Sequence, residues 1–290
     1  MNVAHAAGEL ERRPRAVALG TFDGVHLGHR RVLEAALSAS PGLTATVVTF
    51  WPHPRIVLGN EVGLLTTLER RLELLAEAGA DEVLVVEFTP EVAQLEPEAF
   101  AKEFLRPIGT ELVVAGADFR FGRGRSGDLR MLEQSGFSVD AVELVPGVSS
   151  TAIRELLRDG SIKAGARLLD RPAEVEGTVV SGDARGGTLG YPTANLRVEP
   201  DLLVPAYGIY AGWTAGHRAA VSIGTNPHYG GRERRVEAFL LDFDGDLYGE
   251  RLIVELWDRL REERAFASEK DLVAQITRDV EETRLTERPI

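Results

Sequence analysis

The sequence contains no cysteine, and its 290 residues include fewer basic than acidic side chains. Without cysteine the chain can form neither disulfide bonds nor thiolate zinc sites, and it cannot use a cysteine nucleophile. The 33 Lys and Arg residues against 45 Asp and Glu residues give a formal net charge of −12. We therefore expect no nucleic-acid groove, because such grooves are normally marked by a basic patch. An acidic protein can still hold a nucleotide through a few local donors.

Long apolar runs are also missing. Every apolar stretch falls far short of the roughly 20 residues that a membrane-spanning helix needs. The first 15 residues contain no apolar stretch of the kind that marks a secretory signal. We therefore expect a cytoplasmic enzyme or binding protein without a membrane partner, present as a monomer or weak homo-oligomer. The first 14 residues are expected to be mobile.

Short β-rich runs alternate with helical patterns from residue 16 to about 160. The runs are "AVAL", "TATVVTF", "EVLVVEF", "ELVVAG" and "VDAVEL". Between them, one apolar stripe contains Val32, Leu33, Ala36 and Leu37, and another contains Leu68, Leu72 and Leu75. Such alternation predicts an α/β, Rossmann-like domain with a parallel sheet, which we place at residues 15–170. Ligands of such sheets bind at the carboxyl ends of the strands.

After residue 170 the pattern changes to strands alone. Five or six short β-rich runs are separated by turn residues, which predicts a small antiparallel barrel at residues 171–290. "SEKDLVAQITRDVEET" opens with Ser268 and Asp271 at capping-box spacing and carries Leu272, Val273 and Ile276 on one face. It predicts a helix that closes the barrel.

The stretch "GTFDGVHLGH" places two histidines where the first predicted strand passes into a helix. Residues three apart on a helix face the same way, so His26 and His29 can both point at one anion. Gly28 would let a phosphate approach the backbone, where the N–H groups of a helix start favour negative charge. The residues alone also allow a simpler interpretation, in which the glycines form a tight turn and the histidines cap the helix. Zinc is disfavoured because no third ligand lies nearby.

A second stretch, "GYPTANL", places Thr193 and Asn195 on one side of an extended segment. A hydroxyl and an amide oxygen are hard ligands that suit Mg²⁺. Strands also carry Thr and Asn without any metal, so this pattern alone leaves both interpretations open.

Both stretches resemble signatures of one family, the prokaryotic bifunctional riboflavin kinase/FAD synthetases. In the first half, "GTFDGVHLGH", "TFWPHP", "GADFRFG" and "SSTAIR" resemble the family's adenylyltransferase motifs and follow the same order. In the second half, "GYPTANL", "PAYGIYAGW", "SIGTNP" and "VEAFLLDFDGDLYGERLIVEL" resemble its kinase motifs. The resemblance covers roughly residues 15 to 280.

The resemblance implies two activities with riboflavin, FMN, FAD and ATP as substrates or products and Mg²⁺ as cofactor. The first half would adenylylate FMN to FAD. There His26 and His29 would be catalytic, and the ATP site would comprise Gly20, Phe22, Asp23, Gly24, Gly28, Ser150, Thr151 and Arg154. The flavin or nucleotide pocket would comprise His53, Asp118, Phe119 and Phe121.

The second half would phosphorylate riboflavin to FMN. The resemblance implies that Glu237 is the base, that Thr193 and Asn195 bind the metal, and that Gly190 joins them at the ATP site. The sequence departs from the family at Gly187, commonly Arg, and at His228, commonly Thr. Arg185 is the nearest substitute for the missing arginine, and Arg261 is a weaker candidate for flavin binding. Three alternatives stay open: only one half is active, the first half adenylylates another phosphorylated substrate, or the chain is a non-catalytic flavin- or nucleotide-binding regulator.

Overall fold

The computed structural model describes residues 1–39, 42–182, 185–225 and 234–290. The chain divides into two compact units. The first comprises residues 1–62 and 66–150, and the second comprises residues 63–65 and 151–290. Within the described residues, no helix is both long enough and apolar enough to cross a membrane.

The first unit is built on a six-stranded parallel sheet whose strand order is β1-β4-β3-β2-β5-β6. The strands are β1 Asn2–Ala4, β2 Arg15–Leu19, β3 Thr44–Trp51, β4 Glu82–Glu87, β5 Thr110–Gly116 and β6 Ser138–Val142. All residues of β2 are buried, which explains why this strand reads as a continuous apolar run. The order reverses between β2 and β5, so the carboxyl ends of these two neighbours flank the crevice where ligands of such sheets bind.

The strand β1 corrects the expectation of a mobile start. It pairs in parallel with β4, and Val3 lies opposite Val83. Ala4 and Leu10 are only 1% and 5% exposed, because both belong to the apolar core on one face of the sheet. Three residues are too few to show a periodicity, so the sequence gives no strand signal here.

Helices connect the strands of this unit. The longer ones are α1 Leu27–Leu37 and α3 Leu68–Glu77, and the shorter ones are α2 Pro54–Val57, α4 Pro90–Ala93, α5 Pro97–Phe100 and α6 Leu129–Gln134. Three residues of the predicted apolar stripe on α1, Val32, Leu33 and Ala36, are buried, whereas Leu37 is 40% exposed. On α3 the buried residues are Arg71, Leu74 and Leu75, and Leu68 and Leu72 are only partly buried.

The second unit begins with the helices α7 Ser150–Asp159, whose first residue lies in the first unit, and α8 Ile162–Leu169. A closed antiparallel barrel follows, with strand order β10-β11-β8-β7-β12-β9. Its strands are β7 Ala173–Val180, β8 Ala194–Arg197, β9 Gly208–Thr214, β10 His217–Thr225, β11 Arg234–Leu240 and β12 Arg251–Arg261, and α9 Arg185–Thr188 lies between β7 and β8. The predicted fold classes of both halves are confirmed.

The last helix, α10 Glu269–Leu285, packs against β9 and β10. Ser268 caps it by accepting a hydrogen bond from the backbone N–H of Asp271 at 3.2 Å. Its buried residues are Asp279, Val280 and Thr283. Arg261 at the end of β12 forms a bidentate ion pair with Asp279, with Nη2 at 2.7 Å and Nε at 3.0 Å. This pair joins the helix to the barrel, as the sequence pattern predicts for a closing helix.

Candidate active sites

The two histidines of the first unit form one stacked pair at the start of α1. Their ring centroids lie 3.6 Å apart with an interplanar angle of 12°. The ring of Phe22 contacts His29 at a centroid distance of 5.2 Å. His26 is 6% exposed. The structure thus brings both imidazoles to the amino end of a helix, where backbone N–H groups attract anions.

His26 also caps this helix, so the simpler interpretation of the motif is true of one histidine. Its Nδ1 accepts a hydrogen bond from the backbone N–H of His29 at 3.2 Å. A ring nitrogen that accepts a hydrogen bond carries no proton, so the proton of neutral His26 lies on Nε2. Capping therefore fixes the tautomer of His26 and makes Nε2–H its ring donor. A histidine in this tautomer can cap the helix and still donate a hydrogen bond to an anion.

Gly28 lies close against the ring of His26. A Cβ atom at this position would lie 3.2 Å from Cε1 and 3.3 Å from Nδ1 of His26. These distances are tighter than ordinary van der Waals contact, so any larger residue would displace the ring. Glycine at position 28 therefore leaves the His26 ring in place, and the approach of a phosphate to its backbone stays a prediction.

The remaining turn residues are held from inside the unit. The backbone from Gly20 to Val25 follows β2, and Asp23 is fully buried. The side chain of Asp23 accepts hydrogen bonds from the Thr66 N–H at 3.2 Å and the Thr66 hydroxyl at 3.3 Å. Ser150 donates its hydroxyl to the Asp23 carbonyl at 3.0 Å. These contacts shape the turn that leads to the histidines. The sequence motifs do not indicate that Thr66 is one of the residues that hold this turn.

The other predicted pocket residues follow strands next to β2. His53 lies after β3, is 5% exposed, and caps α2 by accepting the N–H of Arg55 at 3.1 Å. Asp118 lies after β5 and is exposed, and Phe119 is half-buried. Phe121 stacks on Phe119 at 5.9 Å but belongs to the apolar core beside Phe100, and is only 7% exposed. Topology thus brings these loops to one edge of the sheet, with Phe121 below its surface.

The residues Thr151 and Arg154 lie on α7 in the second unit. Thr151 is exposed, whereas Arg154 is 5% exposed and donates Nε–H to the Gly63 carbonyl at 2.7 Å. Their predicted contact with the ATP phosphates stays a prediction.

The barrel carries the second site in a cavity of about 1250 Å³ on its outer face. The strand β11 pairs with β8 in a register that sets Glu237 opposite Asn195, and it pairs with β10 so that Glu237 is opposite Ser222. Val236 and Ala238 are buried in the barrel core. Alternation along the strand therefore turns Glu237 outward into the cavity.

Three oxygen-bearing side chains converge there. Thr193 donates its hydroxyl to Oε2 of Glu237 at 3.3 Å, and Asn195 donates its amide to the Thr193 carbonyl at 3.3 Å. Hydroxyl, amide and carboxylate oxygens fit Mg²⁺, which takes few protein ligands and otherwise binds water and phosphates. No group of three or more His, Asp and Glu residues suited to a metal occurs in the described ranges. Thr193 and Asn195 offer oxygen atoms of the kind that Mg²⁺ prefers, and their predicted role as metal ligands stays a prediction.

Further residues enclose this cavity. Tyr191 and Phe239 meet edge to face at 5.2 Å, and Tyr191 shares a hydrogen bond with Thr277 of α10 at 2.9 Å. Arg261 lines the cavity, but its guanidinium is held by Asp279. Gly190 lies in the turn between α9 and β8, and Gly187 is exposed with open space beside it. His228 lies outside the described residues, and the side chain of Arg185 is not described.

Comparison with known proteins decides the family. The FAD synthetase family matches residues 9–154, and the riboflavin kinase family matches residues 169–286. The chain is 37% identical to the bifunctional riboflavin kinase/FMN adenylyltransferase of Listeria monocytogenes, over 93% of this chain and 91% of that protein. The chain belongs to the bifunctional riboflavin kinase/FMN adenylyltransferase family.

Two further relatives span both halves of the family's architecture. The Escherichia coli K12 protein of the same name is 34% identical over 95% of this chain and 93% of its own length. A Streptococcus pneumoniae crystal structure, described as a macrolide-efflux protein, superposes with a TM-score of 0.87 and 31% identity, covering 97% of this chain and 98% of that one. Membership in the family therefore rests on the whole chain rather than on one domain.

Proposed function

We propose that the barrel and the α/β unit supply the two consecutive steps of flavin-cofactor synthesis. The chain is a bifunctional riboflavin kinase and FMN adenylyltransferase. Riboflavin and ATP give FMN and ADP in the first reaction, and FMN and a second ATP give FAD and pyrophosphate in the second. The main structural support is that each unit has its own group of polar side chains. The α/β unit has stacked imidazoles at the start of a helix, and the barrel has oxygen-bearing side chains that line one cavity. We assign residues 15–170 to the adenylyltransferase and residues 171–290 to the kinase.

In the kinase, Glu237 takes the proton of the riboflavin 5′-hydroxyl while that oxygen forms a bond to the γ-phosphorus of ATP. The bond between this phosphorus and the bridging oxygen breaks, and ADP leaves. A carboxylate on a rigid strand is well placed for such proton transfer. Thr193 and Asn195 would hold Mg²⁺, with Gly190 beside the nucleotide. Bound Mg²⁺ supplies charge neutralisation for the ATP phosphates.

In the adenylyltransferase, an FMN phosphate oxygen bonds to the α-phosphorus of ATP, and pyrophosphate leaves with the electrons of the broken P–O bond. The Nε2–H of His26, the imidazole of His29 and the N–H groups of α1 stabilise the negative charge that grows on the phosphates. Gly20, Phe22, Asp23, Gly24 and Gly28 form the loop that presents them. This step needs no covalent enzyme intermediate, so the site works by positioning and charge stabilisation.

The other predicted residues complete this proposal. Ser150, Thr151 and Arg154 hold the departing end of the triphosphate, and His53, Asp118, Phe119 and Phe121 shape the nucleotide and flavin pocket. Phe121 acts from below by supporting the ring of Phe119. The acidic net charge of −12 disfavours nucleic-acid binding, and we propose that the protein is cytoplasmic and has only small-molecule substrates. We propose a monomer or weak homo-oligomer.

One experiment tests both activities. The protein is incubated with riboflavin, ATP and Mg²⁺, and in parallel with FMN, ATP and Mg²⁺, and the flavins are separated by chromatography. We expect FMN followed by FAD in the first reaction and FAD in the second. FMN without FAD in either reaction would limit the chain to the kinase, and FAD from supplied FMN alone would limit it to the adenylyltransferase. Flavin binding without either product would support a regulator.

A further inference from the structure

The loop that presents the histidines is held in an unfavourable backbone conformation. Phe22 has a φ of 52° and Val25 a φ of 38°, and Gly24 between them has a φ of 83°. Residues other than glycine rarely adopt positive φ, and a β-branched residue such as valine is a clear outlier there. Such conformations persist only where the surrounding structure enforces them, and they concentrate at functional sites.

The enforcing contacts come from residues that lie outside every motif of the sequence. Thr66 is 2% exposed and precedes α3. Its hydroxyl accepts the N–H of Gly24 at 3.3 Å and donates to Oδ1 of Asp23 at 3.3 Å. One hydroxyl thus bridges the backbone and the side chain of two consecutive loop residues.

A buried arginine reinforces the same carboxylate. Arg71 on the first turns of α3 is fully buried, and its Nη2 lies 3.5 Å from Oδ1 of Asp23. Its Nη1 donates to the Phe50 carbonyl at 3.3 Å, and its guanidinium lies over Trp51 at 5.3 Å. These contacts fix the arginine to β3, so Asp23 is anchored to the sheet as well as to α3.

We propose that Thr66 is a positioning residue for adenylyl transfer, with Arg71 and Asp23 as its support. This inference rests on the proposed adenylyltransferase function. The Thr66 hydroxyl keeps the loop in its left-handed conformation, and His26 follows directly after Val25. The conformation of the loop therefore sets the position of the first turn of α1, and with it the positions of both imidazoles. Releasing it would misplace them without removing any group that touches substrate.

The test compares Thr66→Val, which replaces the hydroxyl by a methyl group, with Thr66→Ser, which keeps the hydroxyl. We expect Thr66→Val to lower kcat for FAD formation from FMN about 10- to 100-fold, the scale of a small misplacement of reacting groups. The KM values for ATP and FMN should change much less, because the contacts to substrate remain. Thr66→Ser should restore most of kcat, and FMN formation by the same preparations should be unchanged.

A neighbouring residue provides the control for purely structural damage. Thr67 caps α3 by accepting the N–H of Arg70 at 3.0 Å. Thr67→Ala should lower the melting temperature yet leave kcat for FAD formation near the wild-type value. A second variant, Thr66→Ala, serves if valine prevents folding, because it removes the hydroxyl and adds no atoms.

The outcomes separate the inference from the proposed function. Wild-type protein that forms no FAD from FMN and ATP would overturn the proposed function. Wild-type activity with full kcat in Thr66→Val or Thr66→Ala would overturn the inference alone. A Thr66→Ser variant as impaired as Thr66→Val, or a Thr67→Ala variant that loses as much kcat, would also overturn it.

Discussion

The two sites differ in how their polar groups are held. In the α/β unit, buried Asp23 contacts both Thr66 and Arg71, which are also buried. These contacts support a loop in which Phe22, Gly24 and Val25 have positive φ values. In the barrel, Thr193 and Glu237 are half-buried and share one long hydrogen bond of 3.3 Å. The polar groups beside the histidines are therefore more firmly held than those of the barrel cavity.

The largest expected effect separates the two reactions at the barrel. Glu237→Gln keeps the size of the side chain and removes the base, so FMN formation should fall about 10²- to 10⁴-fold. FAD formation from added FMN should survive, because it uses the other unit. Both rates are measured on one preparation by separating the flavins. A fall of both rates in a folded variant would contradict the division into two sites.

The reciprocal change acts on the histidines. His29→Asn should lower FAD formation about 10²-fold through loss of phosphate stabilisation, with FMN formation unchanged. His26→Asn keeps an oxygen that can cap α1 but removes a donor at the position of Nε2–H. His26→Gln keeps a donor near that position but removes the cap. We expect His26→Asn to retain stability and lose activity. An active His26→Asn variant would rule out Nε2–H as a donor to phosphate.

The sheet also contains a buried ion pair whose effect is on stability. Burial alone raises the pKa of Glu82, but hydrogen bonds and charge from Arg15 and Arg13 outweigh it and hold this pKa below its usual value of 4.5. The carboxylate therefore stabilises the fold above the unfolded pKa, and this contribution is lost as the pH falls through the folded pKa.

Glu82→Gln should consequently reduce the free energy of unfolding by about 3 kcal/mol at pH 7, as expected when one partner of a buried pair is removed. The difference from wild type should shrink below pH 4.5, which urea titrations followed by circular dichroism at several pH values can measure. On heating, the variant should lose FAD formation before FMN formation. An undiminished difference in acid would contradict the ionic origin.

A smaller effect probes ring placement. Gly28→Ala would put a Cβ 3.2 Å from the His26 ring, so FAD formation should fall about tenfold, by displacement of the imidazoles. Gly8→Ala is the matched control, because nothing lies within 4 Å of a Cβ there. Equal rates for both variants would show that the stacked arrangement is dispensable.

The smallest effect concerns Gly187, where the family resemblance predicts an arginine. Gly187 has room for a side chain, and Gly187→Arg should lower the KM for ATP in FMN formation about two- to fivefold, as one exposed charge contact allows. Gly187→Gln, which adds a polar but uncharged side chain, is the control. An unchanged KM would show that the site does not use a cation at this position.

Sequence reasoning predicts the fold well because both units have regular patterns. The strand β2 is buried on both faces and has a continuous apolar run, whereas β11 is buried on one face and its buried residues alternate. The motifs that contain both histidines, Thr193 and Asn195, and Glu237 are short and contiguous, so a sequence alone is enough to select these residues as candidates. Whether they perform the assigned roles stays a prediction for the experiments above.

What the sequence does not predict depends on contacts between distant positions. Thr66 meets Asp23 across a separation of 43 residues, and no local pattern reports such a pairing. Arg71 interrupts an apolar stripe, and a charged residue on a helix is ordinarily expected in solvent. Its burial follows from the carboxylate and the carbonyl that receive it, which only the fold brings together.

The three residues of β1 have a practical consequence for anyone who shortens this protein. They form the outermost strand, beside β4, and their removal would leave a row of main-chain amides and carbonyls uncovered. Such a border invites strands from other molecules. A version trimmed to residue 15 should therefore elute earlier than the intact chain in size-exclusion chromatography and precipitate sooner on concentration.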